Sequence, residues 1–138
     1  VPSEVKTEEA HKEVITSPLF EARLKYVEGM LEEMKDAIRG KNIARIGQLA
    51  EEDSLNLHAT TITSKSHLVL WEPETLRVIK EVVKLREEGI QAWYSIDTGP
   101  SVFINTYPEH ANYIAARMRE LNFPNVIVSK VGDKAKII

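Results

Sequence analysis

One aspartate, Asp97, has the sequence context of a functional carboxylate. It follows the hydrophobic stretch 91–96 and precedes Thr98-Gly99-Pro100, so a strand is predicted to end beside it and a tight turn to begin there. A side chain at such a junction is held rigidly while it stays accessible. An ordinary turn aspartate that bonds to its own backbone explains the same pattern, and that alternative stays open. The residues alone indicate a candidate acidic site.

A second cluster combines a carboxylate, a hydroxyl and an imidazole in Asp53, Ser54 and His58. Positions four apart share one face of a helix, so Ser54 and His58 are predicted to meet in one cleft. A buried histidine with satisfied hydrogen bonds near a helix end is the equally weighted alternative. The four histidines lack the H-x-x-x-H and H-E-x-x-H spacings, so no metal site is predicted.

A third candidate is a phosphate seat at Lys6 and Thr7, which precede a predicted helix. The N–H groups at a helix start attract anions, and a nearby lysine adds positive charge. A solvated helix cap is the competing explanation. Neither a GxxxxGK[ST] loop nor a GxGxxG fingerprint occurs in the sequence.

Composition limits the classes of function. The chain has 138 residues, which fits one domain with a single core, and a net charge of −3, which gives no general attraction to nucleic acid or anionic membranes. No apolar stretch is long enough for a membrane span. The lack of cysteine excludes disulfides and thiolate metal sites and fits a reducing cytoplasm. The chain begins without Met, so we expect it to be part of a longer protein.

The first two-thirds of the chain has the three- and four-residue apolar spacing of helices. Helices are predicted over residues 7–15, 18–40, 42–60 and 73–89. The expected inward face of the second helix consists of Phe20, Leu24, Val27, Leu31, Met34 and Ile38. That of the fourth consists of Leu76, Ile79 and Val83. A Thr- and Ser-rich loop is expected over 60–67.

The last third changes to the pattern of short strands. Strands are predicted over 91–96, 101–105, 125–130 and 134–138, with a hairpin turn at Gly132-Asp133 before the last. Capping-box spacing at Thr106 predicts a helix between the second and third strands. The fold class expected is α+β, a mainly antiparallel four-stranded sheet with helices packed on one face, in a ferredoxin-like arrangement.

Three segments, in order, resemble the diphosphomevalonate decarboxylases of the GHMP kinase superfamily. Residues 16–24 resemble their T-S-P-L-x-x-x-R segment, 52–59 their D-S-x-x-x-H-A motif, and 93–101 their Y-T-F-D-A-G-P-N turn. The resemblance covers nearly the whole chain, and it implies a GHMP-type C-terminal domain over residues 1–138. It also implies a cytoplasmic enzyme of isoprenoid biosynthesis.

The resemblance implies an ATP-dependent reaction on a phosphorylated mevalonate. The tertiary C3 hydroxyl is phosphorylated, and loss of phosphate and CO₂ then leaves an isopentenyl product. Asp97 matches the family's aspartate beside that hydroxyl, as base or orienting acceptor. The turn Gly99-Pro100-Ser101 is expected to shape the pocket wall. The substrate-binding residues implied are Lys6, Thr7, Ser54, His58, Gly99, Pro100 and Ser101.

The sequence departs from the family in two ways. Lys6 stands where relatives have an arginine near the substrate phosphates, so the phosphorylation state of the substrate stays open. The superfamily's ATP loop is absent, so ATP and Mg²⁺ are expected mainly on an N-terminal domain outside this chain, which alone should be inactive. Two alternatives remain, a mevalonate-type kinase without decarboxylation and a non-catalytic interaction domain. A homodimer also stays open.

Overall fold

Helices fill the first two-thirds of the chain, and the last third is mostly strands. The computed structural model describes residues 2–99, 101–129 and 134–137, with side chains for 8–99 and 101–129. Its elements are α1 (Pro2–Glu13), α2 (Phe20–Arg39), α3 (Ile43–Ile62), α4 (Pro73–Glu87), β1 (Ala92–Ile96), β2 (Val102–Thr106), α5 (Pro108–Glu120), β3 (Val126–Ser129) and β4 (Lys134–Ile137). A 3₁₀ turn, Val14–Thr16, joins α1 to the segment before α2. The expected turn at Gly132-Asp133 lies outside the described residues.

The strands form an antiparallel sheet in the order β1-β2-β4-β3. β1 is therefore an edge strand and pairs only with β2, with Tyr94 opposite Ile104 and Ile96 opposite Val102. β4 pairs with both β2 and β3. The expected α+β class with an antiparallel sheet is confirmed.

The main core lies between the sheet and the helices α4 and α5. It contains Val78, Val82, Leu85, Ala92, Tyr94, Ile96, Val102, Ile104, Ile114, Met118 and Phe123. Alternate residues of β1 and β2 point into this core, as the period of two requires. Arg117 of α5 joins the two helices by donating hydrogen bonds to Glu81 of α4 and to Glu88 just after it, each at 2.6 Å.

Two of the expected helix faces are wrong in part. On α2 the buried residues are Met30 and Ala37, which pack with Leu49 of α3. Leu24, Leu31 and Ile38 are exposed, because their row lies about 100° around the helix from the contact with α3. On α4 the exposed residues include Leu76 and Val83, since Val78, Val82 and Leu85 face the core instead.

The expected capping box at the start of α5 is also wrong. Tyr107 is the N-cap residue, and its side chain makes no capping hydrogen bond. The Thr106 hydroxyl instead donates to the carbonyl oxygen of Gln91 at 2.7 Å, across the start of β1. The backbone of Thr106 still belongs to β2, so its side chain is directed by the sheet and not by the helix.

Helix α3 lies against β1 more closely than ordinary side chains would permit. Gly47 faces the ring of Trp93, and a Cβ atom at position 47 would lie under 3.0 Å from three atoms of that ring. The close approach brings the next two turns of α3 alongside the open edge of β1. This placement of α3 determines the geometry around Asp97.

Candidate active site

Asp97 lies directly after the last residue of β1 and begins the bend that leaves the sheet. Its side chain is exposed. Within the described residues its carboxylate makes no hydrogen bond or ion pair, so Asp97 is not the self-bonded turn aspartate considered from the sequence. A carboxylate that is free and yet attached to a fixed strand end remains available to accept a proton or a hydrogen bond.

The strand end beside Asp97 is held by Ser54 and His58 of α3. The Ile96 N–H donates to Oγ of Ser54 at 2.9 Å. The carbonyl oxygen of Ile96 lies 3.1 Å from Nε2 of His58. Both side chains are buried, Ser54 with 7% and His58 with 1% of its surface exposed. The two residues share one helix face, as predicted, but that face meets backbone atoms of β1 and not an open cleft.

The same arrangement continues toward the start of β1. Glu51, one turn before Ser54 on α3, accepts a hydrogen bond from the Tyr94 N–H at 3.1 Å. Its Oε1 also accepts from Arg86 of α4 at 2.8 Å, and Arg86 donates in turn to the Ala92 carbonyl at 3.0 Å. Helix side chains therefore bond to the edge groups that a further strand would otherwise pair with.

A half-buried set of hydrogen bonds joins the first two motifs of the sequence. Arg23 of α2 donates to the carboxylate of Asp53 at 2.9 Å and to the amide oxygen of Asn56 at 2.8 Å. Asp53 and Asn56 flank Ser54, so the bonds fix the turn of α3 that supports β1. At the start of α2, Ser17 shares a 2.6 Å hydrogen bond with Thr63 after α3.

The imidazole of His58 is neutral in this environment. Burial, which penalises the charged imidazolium, lowers the pKa of His58 from its ordinary value. Hydrogen bonds to the backbone of Ile96 and Asp97, and the negative charge of Asp97, act in the opposite direction but are smaller. A carbonyl oxygen can only accept, so Nε2 carries the proton of the neutral ring. The ring packs against Trp71, with the centroids 5.4 Å apart.

The other predicted site residues are only partly brought together. Gly99 and Ser101 are half-buried and flank the turn after Asp97, while Pro100 lies outside the described residues. Lys6 and Thr7 do not precede a helix, because α1 begins at Pro2 and includes both. The expected phosphate seat at a helix start is therefore wrong at these positions. Their side chains lie outside the described part of the structure, so substrate contact by Lys6 and Thr7 stays a prediction.

Some functional features were not anticipated from the sequence. Glu51, Arg23 and Arg86 complete the support of β1, and the spacing of positions 51, 54 and 58 on one helix face was a signal that could have identified Glu51. Among the described residues, no group of three acidic or histidine side chains could hold a metal ion. No described helix combines the length and apolar character needed to cross a membrane.

Comparisons with known proteins identify the family of the chain. A family model described as "Mevalonate 5-diphosphate decarboxylase C-terminal domain" matches residues 4–137. A phosphomevalonate decarboxylase of Haloferax volcanii is 41% identical over all of this chain, which covers 43% of that protein. A diphosphomevalonate decarboxylase of Debaryomyces hansenii is 35% identical over 72% of this chain and 26% of its own length.

A solved structure shares the fold. The mevalonate diphosphate decarboxylase from Enterococcus faecalis superposes with a TM-score of 0.78 at 22% identity, over 95% of this chain and 39% of that one. The chain thus spans less than half the length of each of these relatives. The family model matches nearly every residue of this chain. This chain belongs to the family of mevalonate 5-diphosphate decarboxylase C-terminal domains.

Proposed function

We propose that this chain is the C-terminal half of an ATP-dependent decarboxylase acting on a phosphorylated mevalonate in the mevalonate pathway. The products are isopentenyl phosphate or diphosphate, CO₂, ADP and phosphate. The observation that carries the proposal is the free carboxylate of Asp97, attached to a strand end that Ser54 and His58 hold, in a member of this family. The strand order of the sheet, together with α5 as the helix between β2 and β3, supports the ferredoxin-like arrangement of a GHMP C-terminal domain.

The role proposed for Asp97 concerns the C3 hydroxyl of the substrate. Its carboxylate accepts the hydroxyl proton, or orients that hydroxyl, when the oxygen becomes phosphorylated. If the carboxylate only orients the hydroxyl, it keeps its negative charge and stabilises the positive charge that develops at C3 as phosphate departs. Breaking the bond from C2 to the carboxyl group then supplies the electron pair of the new C2=C3 double bond and releases CO₂.

ATP supplies the phosphoryl group in this proposal, and Mg²⁺ accompanies its phosphates. The described residues offer no set of ligands for a metal ion, and the sequence has no phosphate-cradling loop. We therefore assign both groups to an N-terminal half of the protein, outside this chain. Such an enzyme of soluble substrates is expected to act in the cytoplasm.

The relatives support a proposal for the phosphorylation state of the substrate. The relative from Haloferax that aligns over the whole chain is a phosphomevalonate decarboxylase. Lys6 stands where the resemblance expects an arginine, so a point charge replaces a bidentate fork near the substrate phosphates. We propose the 5-monophosphate as the preferred substrate.

The test measures turnover of the full-length protein with three phosphorylated mevalonates. Wild type is assayed for CO₂ with mevalonate 5-phosphate, 5-diphosphate and 3,5-bisphosphate, and we expect the 5-phosphate to give the highest kcat/KM. Asp97→Asn should lower kcat by about 10²–10⁴-fold, the range for loss of a positioned acid–base group. Asp36→Asn, at an exposed carboxylate on α2, is the matched control and should retain activity.

Other outcomes identify the alternatives. Phosphorylation of mevalonate without CO₂ would make the protein a kinase of the same superfamily and would contradict the decarboxylase proposal. The exposed row Leu24, Leu31 and Ile38 on α2 favours a non-catalytic interaction domain, since these residues are 51%, 49% and 58% exposed. Full activity of Asp97→Asn would exclude a catalytic role for this carboxylate.

A further inference from the structure

We infer that Ser54 and His58 are positioning residues, which fix the direction of the Asp97 side chain by holding the peptide group before it. The sequence-based expectation made both residues substrate ligands. The inference rests on the proposed function, because it gives these two residues a purpose only if Asp97 acts on the substrate. It adds that the D-S-x-x-x-H motif acts through the backbone of β1 and not by touching the substrate.

Ser54 and His58 both form hydrogen bonds with Ile96, the residue directly before Asp97. Ser54 accepts from the N–H of Ile96, and His58 donates to the carbonyl oxygen of the same residue. That carbonyl belongs to the peptide group joining Ile96 to Asp97. Because a peptide group is planar, fixing its oxygen also fixes the position of the Asp97 Cα. β1 ends at Ile96, so the sheet itself holds the chain no further.

The burial of the two side chains argues against direct contact with a substrate. Ser54 and His58 retain 7% and 1% of their surface, which leaves no room for a phosphate beside them. The hydrogen-bonding atom of each is already engaged by Ile96. The remaining ring nitrogen of His58, Nδ1, is buried and has no partner among the described atoms. The ring as a whole packs against Trp71, with the centroids 5.4 Å apart.

The helix that carries these residues is itself fixed on its other side. Arg23 binds Asp53 and Asn56, which flank Ser54, and its side chain is 15% exposed. A rotation of α3 would break these bonds together with both contacts to Ile96. The carboxylate of Asp97 is therefore connected to α2 through two successive layers of hydrogen bonds. Only Asp97 in this series has an exposed, unengaged functional group.

The experiment compares variants of the full-length protein at the two ends of β1. Ser54→Ala removes the acceptor for Ile96, and His58→Met removes the donor while keeping a side chain of similar bulk. His58→Gln is the conservative variant, because its amide nitrogen can replace Nε2 as a donor. The matched control is Thr106→Val, which removes a buried hydrogen bond to Gln91 at the opposite end of the strand, about 16 Å from Ile96.

We expect Ser54→Ala and His58→Met to lower kcat by about tenfold to hundredfold, as small misplacements of a catalytic group do. KM should change little, because no substrate contact is lost. His58→Gln should recover most of the lost kcat. Thr106→Val should lower the melting temperature by a similar amount to the other two variants and leave kcat per folded molecule unchanged.

Three results would overturn the inference. The first is a kcat for Ser54→Ala and His58→Met that matches Thr106→Val after correction for folded protein. The second is a loss expressed in KM, which would indicate substrate contact. The third is a His58→Gln variant as slow as His58→Met. Failure of the proposed function is recognised separately, since Asp97→Asn would then keep full turnover or wild type would release no CO₂, and either result removes the basis of the inference as well.

Discussion

His58 shows how one residue can look like a ligand in the sequence and act as a support in the structure. Its imidazole is almost fully buried, and its Nε2 proton is used on the Ile96 carbonyl. The neutral form is favoured, because the charged form would lose its hydration in this position. Histidine makes many functional sites sensitive to pH. Here we expect His58 to make the stability of the fold depend on pH.

The pH dependence of stability follows from the lowered pKa of His58. The unfolded chain takes up a proton near pH 6.5, whereas the folded protein does so only at lower pH. The stabilising contribution is therefore complete above about pH 6.5 and is lost as pH falls from there through the folded-state pKa, with a slope of at most about 1.4 kcal/mol per pH unit. His58→Gln should remove this slope. Urea unfolding of wild type and variant between pH 5 and 7 measures it.

The control for this prediction is an exposed histidine. His11→Gln changes the same residue type on the surface of α1 and should leave the pH dependence close to that of wild type. A wild-type profile that stays parallel to that of His58→Gln through the acid range would contradict the assignment. The difference between the stability profiles of wild type and His58→Gln reports on His58 alone, because groups common to both proteins contribute equally to both profiles.

What the sequence could predict at the level of single elements depended on burial. Strand β1 and helix α5 were predicted well, because their apolar residues face one continuous core. Helix α2 was misoriented, since Leu24, Leu31 and Ile38 form the better apolar row while Met30 and Ala37 make the contact with α3. Hydrophobic period reveals which residues share a face. It does not reveal which neighbour covers that face.

The sequence indicated which residues belong to the candidate site, but it did not predict the hydrogen bonds that connect them. The positions of Asp97, Ser54 and His58 near one another follow from the resemblance and the helix period. The role of α3 as the cover of an edge strand does not, because hydrogen bonds from helix side chains to a strand backbone leave no periodic signal. Gly47 comes closest to such a signal in the sequence. A glycine within a helix lowers the stability of that helix, and close packing can explain why it is there.

Gly47 is therefore the residue at which the packing of α3 on β1 can be tested. Gly47→Ala should gain helix propensity of about 1 kcal/mol but lose more, because its Cβ would overlap the Trp93 ring. Overpacking of this kind costs about 1–3 kcal/mol, and the side of the ring that would have to yield is buried in β1. We expect a net decrease in the free energy of unfolding, measured by urea denaturation.

Gly29→Ala on α2 is the matched variant in the other long helix. A Cβ there meets no atom within 4 Å, so the propensity gain of about 0.5–1 kcal/mol should appear as added stability. The two substitutions are chemically identical and are expected to differ in sign. If Gly47→Ala were as stabilising as Gly29→Ala, the close approach of α3 to Trp93 would not be a feature of the folded protein.

At the scale of the whole molecule, the surface around Asp97 has the character of one half of a site. The carboxylate is exposed to solvent on the described surface of this chain. Catalysis of phosphoryl transfer needs a site from which water is excluded. Under the proposed function, the N-terminal half supplies both the ATP and the wall that covers Asp97.

This division predicts complementation between two separate chains. The 138 residues alone should neither hydrolyse ATP nor release CO₂, because the proposed function places the nucleotide site on the N-terminal half, apart from the carboxylate of Asp97. Mixing them with the separately produced N-terminal half should restore CO₂ release. Turnover should rise with the concentration of either part, since separation removes the effective concentration that a covalent link provides.

The control for complementation is the same mixture made with Asp97→Asn. This chain should still fold and bind the N-terminal half, because the carboxylate at 97 makes no hydrogen bond or ion pair within the described residues. It should compete with the wild-type chain and lower the recovered turnover in proportion to its share of the mixture. Activity from either half alone, or restored turnover with the Asp97→Asn chain, would contradict a site assembled from the two parts around this carboxylate.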